Sequence, residues 1–148
     1  MTITNILAAV DFSDASRAAC NAAVVCARRY GASLHLVHVA QNTSPDAESA
    51  ERARLPSFVA AAGAPDGTRS IVLCSSRPAE ALLEYAEAAH IDLIVLGTHG
   101  QSGLADLFMG SVALQVLGRA PCPVLTLRRS DDGLFALGGN DSASPLSA

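Results

Sequence analysis

Five short apolar runs constrain this chain more than any other feature. They cover residues 3–10, 33–40, 70–74, 91–96 and 123–127, and segments of helical character separate them. The first and fourth runs are almost continuously apolar, as strands covered on both faces are. Alternation of strand and helix implies a parallel sheet with helices on both sides. Right-handed crossovers then give a doubly wound, five-stranded α/β layout. Ligands bind such sheets beyond the carboxyl ends of the strands, where the winding reverses. The ends of the first and fourth runs, Val10-Asp11 and Leu96-Gly97, are therefore the place to look for a site.

The intervening segments carry helix signals. Ser13 is a capping residue for a helix starting at Asp14, whose carboxylate suits the positive first turn. Ala15, Ala18, Ala19, Ala22, Val25 and Cys26 recur at helical spacing, Arg28 and Arg29 fall in the last turn, and Gly31 supplies the stop. Residues 46–62 read as a second helix. Pro56 predicts a break or kink within it, because proline has no N–H to donate. Pro78 suits the first position of a third helix, and a fourth is expected from Ser111 to about Gly118. Residues 130–148, rich in Gly, Ser, Asp and Ala, read as a mobile tail after a domain of residues 1–129.

Composition excludes several classes. A net charge of −4 argues against a nucleic-acid partner. No apolar run is long enough for a membrane span, and no targeting signal opens the chain, so a cytoplasmic location is expected. The four cysteines, Cys20, Cys26, Cys74 and Cys122, lack metal-site spacing and read as small buried apolar residues. There is no lysine, and no arginine lies between Arg77 and Arg119.

That last fact bears on the segment from Gly97 to Ser111, which reads G-x-x-G-x₉-G-S and runs from a strand into a helix. Gly97 and Gly100 allow backbone angles closed to other residues and let a ligand approach the main chain. Gly110 and Ser111 open a helix whose free N–H groups and dipole favour an anion, and the Ser111 hydroxyl adds a donor. Taken alone, the glycines also fit a plain strand-to-helix connection. The loop is, however, long for one, since about 2–6 residues are usual.

The chain resembles the universal stress protein family. The resemblance covers almost all of residues 3–128 and rests on Ile6 through Ser13, Leu36-Val37-His38-Val39, Asp92 through Gly100, Gly110-Ser111-Val112-Ala113 and Pro121 through Leu125. The G-x-x-G-x₉-G-S pattern is similar to that of the ATP-binding branch. The resemblance implies a three-layer, Rossmann-like (adenine nucleotide alpha hydrolase-like) fold. It implies ATP as ligand, with Mg²⁺ or Mn²⁺ accompanying the phosphates. By the same resemblance Asp11 lies near the ribose and the metal, and Ala9 and Val39 wall the adenine. Gly97, Thr98, His99, Gly100, Gln101 and Gly103 line the ribose and phosphate path, and Gly110, Ser111, Val112 and Ala113 cradle phosphate. Gln101 stands where many relatives carry a basic residue, Ser76-Arg77-Pro78 replaces a glycine-x-proline, and the second helix looks short.

A fast ATPase or kinase aims cationic groups at the transferring phosphoryl. The long loop has no basic residue and one acid, Asp106. Phosphate is then expected to be held by backbone N–H groups, Ser111 and a divalent ion. That arrangement binds a ground state without the differential stabilisation that accelerates chemistry. A sensor or binding module in a stress response is the favoured reading. The alternatives are a slow ATPase or phosphotransferase using Asp11 and His99, and a dimeric stress protein that no longer binds nucleotide. Asp106 reads as a solvated acid or a water-mediated metal contact, and no catalytic residue is assigned. The last apolar run is expected at a sheet edge, where exposed backbone invites pairing. The resemblance implies a homodimer through that strand, and a separate protein partner would read the nucleotide state.

Overall fold

The computed structural model describes residues 1–41, 44–98 and 109–133. Elements follow one another as β1 (Asn5–Val10), α1 (Asp14–Tyr30), β2 (Ser33–Ala40), α2 (Pro45–Ala61), β3 (Arg69–Cys74), α3 (Pro78–Ala88), β4 (Leu93–Gly97), α4 (Ser111–Arg119) and β5 (Val124–Leu127). A short 3₁₀ turn, Arg129–Asp131, comes last. The five strands form one sheet in the order β3-β2-β1-β4-β5. Every pairing is parallel. The winding reverses between β1 and β4, so the doubly wound α/β expectation holds and the reversal falls where the sequence places it.

Alternate side chains of each central strand enter opposite layers. Ile6, Ala8 and Val10 of β1 join Leu34, Leu36 and Val95 beneath the alanine-rich face of α1 and Leu55 of α2. Leu7, Val37, Ile94 and Leu96 face the other way, onto Leu82, Leu83 and Ala86 of α3 and Val116 of α4. Both faces of β1 and β4 are thus dry, which is why their sequences show no polar alternation. Burying one such Leu or Ile contributes about 1.5–3 kcal/mol. At the opposite end from the reversal site, Asp92 ties β1 to the start of β4. Its carboxylate accepts from the Thr4 and Asn5 N–H groups at 2.8 and 2.9 Å. These hydrogen bonds hold the Asp92 carboxyl below the usual aspartate range.

The caps of α1 match the sequence signals. Ser13 accepts from the Ser16 N–H at 3.1 Å, and Gly31 closes the helix in the left-handed region at φ 62°. Three expectations are corrected. The break at Pro56 does not occur: α2 continues for 17 residues, so it is not short either. Pro56 lies on the exposed side of α2, where the carbonyl it leaves without an N–H partner can be hydrated. The cysteines do not share one environment. Cys20 is fully buried, and desolvation pushes its thiol up to about 12, whereas Cys74 is exposed at the end of edge strand β3. The expected tail begins with placed residues: Asn21 of α1 donates to the Asp132 carboxylate at 2.9 Å. Residues 134–148 lie outside the described residues.

Gly97 fixes how closely α1 approaches the sheet. A Cβ built there would stand 2.7 Å from the Ala15 carbonyl carbon and 2.9 Å from the Ser16 nitrogen. These are backbone atoms of a helix start and cannot rotate aside. Gly97→Ala is therefore expected to destabilise the fold by about 1–3 kcal/mol through overpacking, read as a lower urea midpoint. An unchanged midpoint would mean that α1 and β4 are not in this contact.

Candidate functional site

A cavity of about 560 Å³ opens at the carboxyl end of the sheet, over the reversal between β1 and β4. That volume lies within the range usual for small-molecule sites. Its floor comes from the strand ends: Ala9, Val10 and Asp11 follow β1, Val37 and Val39 belong to β2, and Leu96, Gly97 and Thr98 close β4. One wall is the start of α4, with Gly110, Ser111, Val112 and Ala113. The opposite wall carries Phe12, His38, Glu51 and Arg54.

The α4 wall is suited to an anion. Gly110 occupies the N-cap, and no side chain caps this helix start. Its first N–H groups and the positive end of its dipole therefore lack the side-chain oxygen that usually satisfies them. Ser111 is exposed, so its hydroxyl is accessible beside those N–H groups. The wall is anchored to the sheet through Thr98. The Thr98 N–H donates to the Leu127 carbonyl at 2.8 Å, and its carbonyl accepts from the Gly110 N–H at 2.6 Å. The two ends of the long loop are thereby pinched together, and the Thr98 backbone serves the fold.

Asp11 sits between the walls. Its carboxylate accepts from the Ser13 N–H at 3.0 Å and from the Ser13 hydroxyl, and its N–H donates to the Ser16 hydroxyl at 3.0 Å. These bonds fold the β1–α1 turn and hold the carboxylate at the cavity. The turn places Phe12 at φ 64°, a left-handed conformation rare for an aromatic residue. The ring then lies 4.7 Å from the His38 ring and 5.6 Å from that of Phe58.

His38 fastens α2 to this turn. Its Nδ1–H donates to the Val10 carbonyl at 2.6 Å, and Nε2 lies 2.8 Å from Glu51 Oε2. The carbonyl can only accept, so the tautomer is fixed and one further proton lies between Nε2 and the carboxyl group. The His38 side chain is 8% exposed and that of Glu51 30%. Three residues beyond Glu51, the Arg54 guanidinium rests 4.2 Å from the centre of the Phe12 ring. Such a cation–π contact contributes about 0.5–1 kcal/mol at exposed positions.

Of the residues expected at a site, Ala9, Asp11, Val39, Gly97, Thr98, Gly110, Ser111, Val112 and Ala113 line this one cavity. His99, Gly100, Gln101, Gly103 and Asp106 lie outside the described residues. Phe12, His38, Glu51 and Arg54 were not expected. The signal for the last two was a helical stripe: Glu51, Leu55 and Phe58 recur at i, i+4 and i+7, and Arg54 lies beside it. Arg54 also changes the charge of the site, since the expectation had no basic side chain near the ligand. Among the described residues, no group of three or more metal-binding side chains occurs. A divalent ion at Asp11 would depend on oxygens supplied by its ligand and by water. Among those residues no helix is long and apolar enough to cross a membrane.

The universal stress protein family profile matches residues 2–128. This chain belongs to the universal stress protein family. A universal stress protein of Thermus aquaticus, described as lying in a QAH/OAS sulfhydrylase 3′ region, is 37% identical over 137 residues. That match covers 83% of this chain and 97% of the relative. Among solved structures, UspA from Lactobacillus plantarum superposes with a TM-score of 0.70 at 32% identity, covering 86% of this chain and 99% of that one. A universal stress protein in complex with cAMP also reaches 0.70, at 26% identity, covering 87% and 99%.

The pair between His38 and Glu51 generates a test. Glu51→Ala is expected to lower stability by about 1–3 kcal/mol, the usual cost of stranding a buried hydrogen-bonding group. In urea titrations His38→Ala combined with Glu51→Ala should cost clearly less than the sum of the two single changes. Additive losses would show that the two side chains do not act together.

Proposed function

We propose that this universal stress protein binds ATP in the cavity at the sheet reversal and acts as a nucleotide-dependent sensor or binding module. The observation that carries the reading is the start of α4, whose first turn has no side-chain cap and opens into the cavity. Uncapped N–H groups with a helix dipole behind them are a phosphate site in waiting. Ala9, Val37, Val39 and Leu82 offer an apolar lining for a base on the other side. A structural neighbour solved with cAMP lends support, because it joins the same fold to an adenine nucleotide.

The oxygen donors suit magnesium or manganese. Asp11 is a hard carboxylate at the cavity, and Mg²⁺ is commonly held by one or two carboxylates together with phosphate oxygens and water. With the ion bound, it would neutralise phosphate charge; Asp11 would hold it, and Ser111 and the α4 N–H groups would orient the phosphates. This set favours a bound state over rapid turnover, because no base–nucleophile pair accompanies it among the described residues lining the cavity.

Two measurements test the reading. Protein purified natively and then denatured should release an adenine nucleotide identifiable by mass spectrometry. Calorimetry with magnesium and ATP should show Ser111→Ala weakening affinity roughly three- to thirty-fold, the value of one hydrogen bond to a charged group. No released nucleotide and no heat of binding would reject the site.

The reading extends to a homodimer through β5, which pairs with β4 on one side and forms an edge of the sheet. Leu114 and Leu117, exposed on the preceding helix, add apolar surface near that edge. Light scattering at micromolar concentration should give twice the chain mass; the mass of one chain would reject the dimer.

A further inference from the structure

We infer that Arg54 is a ligand-contacting residue that selects phosphate-bearing ligands in this cavity, an inference that rests on the nucleotide-binding reading above. The chain is short of cationic groups in the place where an anion would need them: it has no lysine, and Gly97 to Gly110 contains no arginine. The structure brings one guanidinium to the cavity from elsewhere, on α2. Other arginines face carboxylates: Arg17 faces Asp14, Arg52 faces Glu48, Arg77 faces Glu80 and Arg128 faces Asp131. Among the described residues no carboxylate lies within ion-pair distance of Arg54. Glu51, the nearest acid along its own helix face, is engaged by His38.

Arg54 is instead supported by an aromatic face. The Phe12 ring lies under the guanidinium at 4.2 Å and is itself packed against His38 and Phe58. Stacking restricts a guanidinium without consuming its N–H donors, which point outward in its own plane. A fork held in this way at a cavity rim is arranged to meet a planar or tetrahedral oxyanion in two parallel hydrogen bonds. Phe12 owes its position to a left-handed backbone conformation that a bulky side chain seldom adopts. The ring platform is thus built into the turn that also carries Asp11.

The experiment is a calorimetric series with adenosine, AMP, ADP and ATP against wild type, Arg54→Gln and Arg54→Lys, each in magnesium. If Arg54 meets the phosphates, Arg54→Gln binds ATP at least about tenfold more weakly while adenosine affinity changes less than twofold. Arg54→Lys keeps the charge but loses the fork, and should fall between. A loss equal for adenosine and ATP would make Arg54 a support of the wall and overturn the inference, as would unchanged ATP affinity in both variants. Those results leave ATP binding by the wild type intact. A wild type that binds none of the four would instead remove the nucleotide-binding reading itself. Urea midpoints of the variants, expected to match wild type because Arg54 is exposed, separate a binding effect from misfolding.

Discussion

The contact between Gly97 and the first turn of α1 sets the geometry of everything at the carboxyl end of the sheet. With hydrogen as its side chain, Gly97 lets the backbone of Ala15 and Ser16 rest directly on the end of β4. Alanines at positions 15, 18, 19 and 22 continue that close approach along α1. The turn between β1 and α1 is thereby held against β4, and Asp11 and Phe12 are brought beside Thr98. The cavity therefore follows from tight packing as much as from the reversal of winding. A glycine that looked like a concession to a ligand is first a concession to a helix.

Two walls built on different principles face each other across that cavity. The α4 wall is made of backbone: an uncapped helix start tied to the sheet through Thr98 and Gly110. The α2 wall is made of side chains: an imidazole–carboxyl hydrogen bond and a stack of Arg54, Phe12, His38 and Phe58. The first offers hydrogen bonds fixed in direction, and the second offers charge and shape. Together they account for how a chain without lysine presents a polar, partly cationic cavity.

Most of the sheet was legible in the sequence because both faces of β1 and β4 are buried, and continuous apolar runs ending at Asp11 and Gly97 mark them plainly. The caps of α1 were legible because Ser13 and Gly31 act locally. The α2 wall was not. That helix buries only Leu55 fully, so it lacks a broad apolar stripe, and Pro56 argues against continuity when its exposure is unknown. Arg54 and Phe12 are 42 positions apart by their numbering, and nothing in either segment announces that they touch. The floor and the α4 wall could be named from the strand ends, the glycine pattern and the family resemblance. The opposing wall required knowing how a weakly amphipathic helix lies on the sheet.

The left-handed backbone at Phe12 carries a consequence of its own. Holding an aromatic residue there costs about 1–3 kcal/mol, and glycine or asparagine would relieve it. Either replacement would also remove the ring on which Arg54 rests and against which Phe58 packs. Relaxing the turn and preserving the far wall are therefore opposed demands on a single residue, and a more stable version of this protein at position 12 would be one with a poorer receptacle.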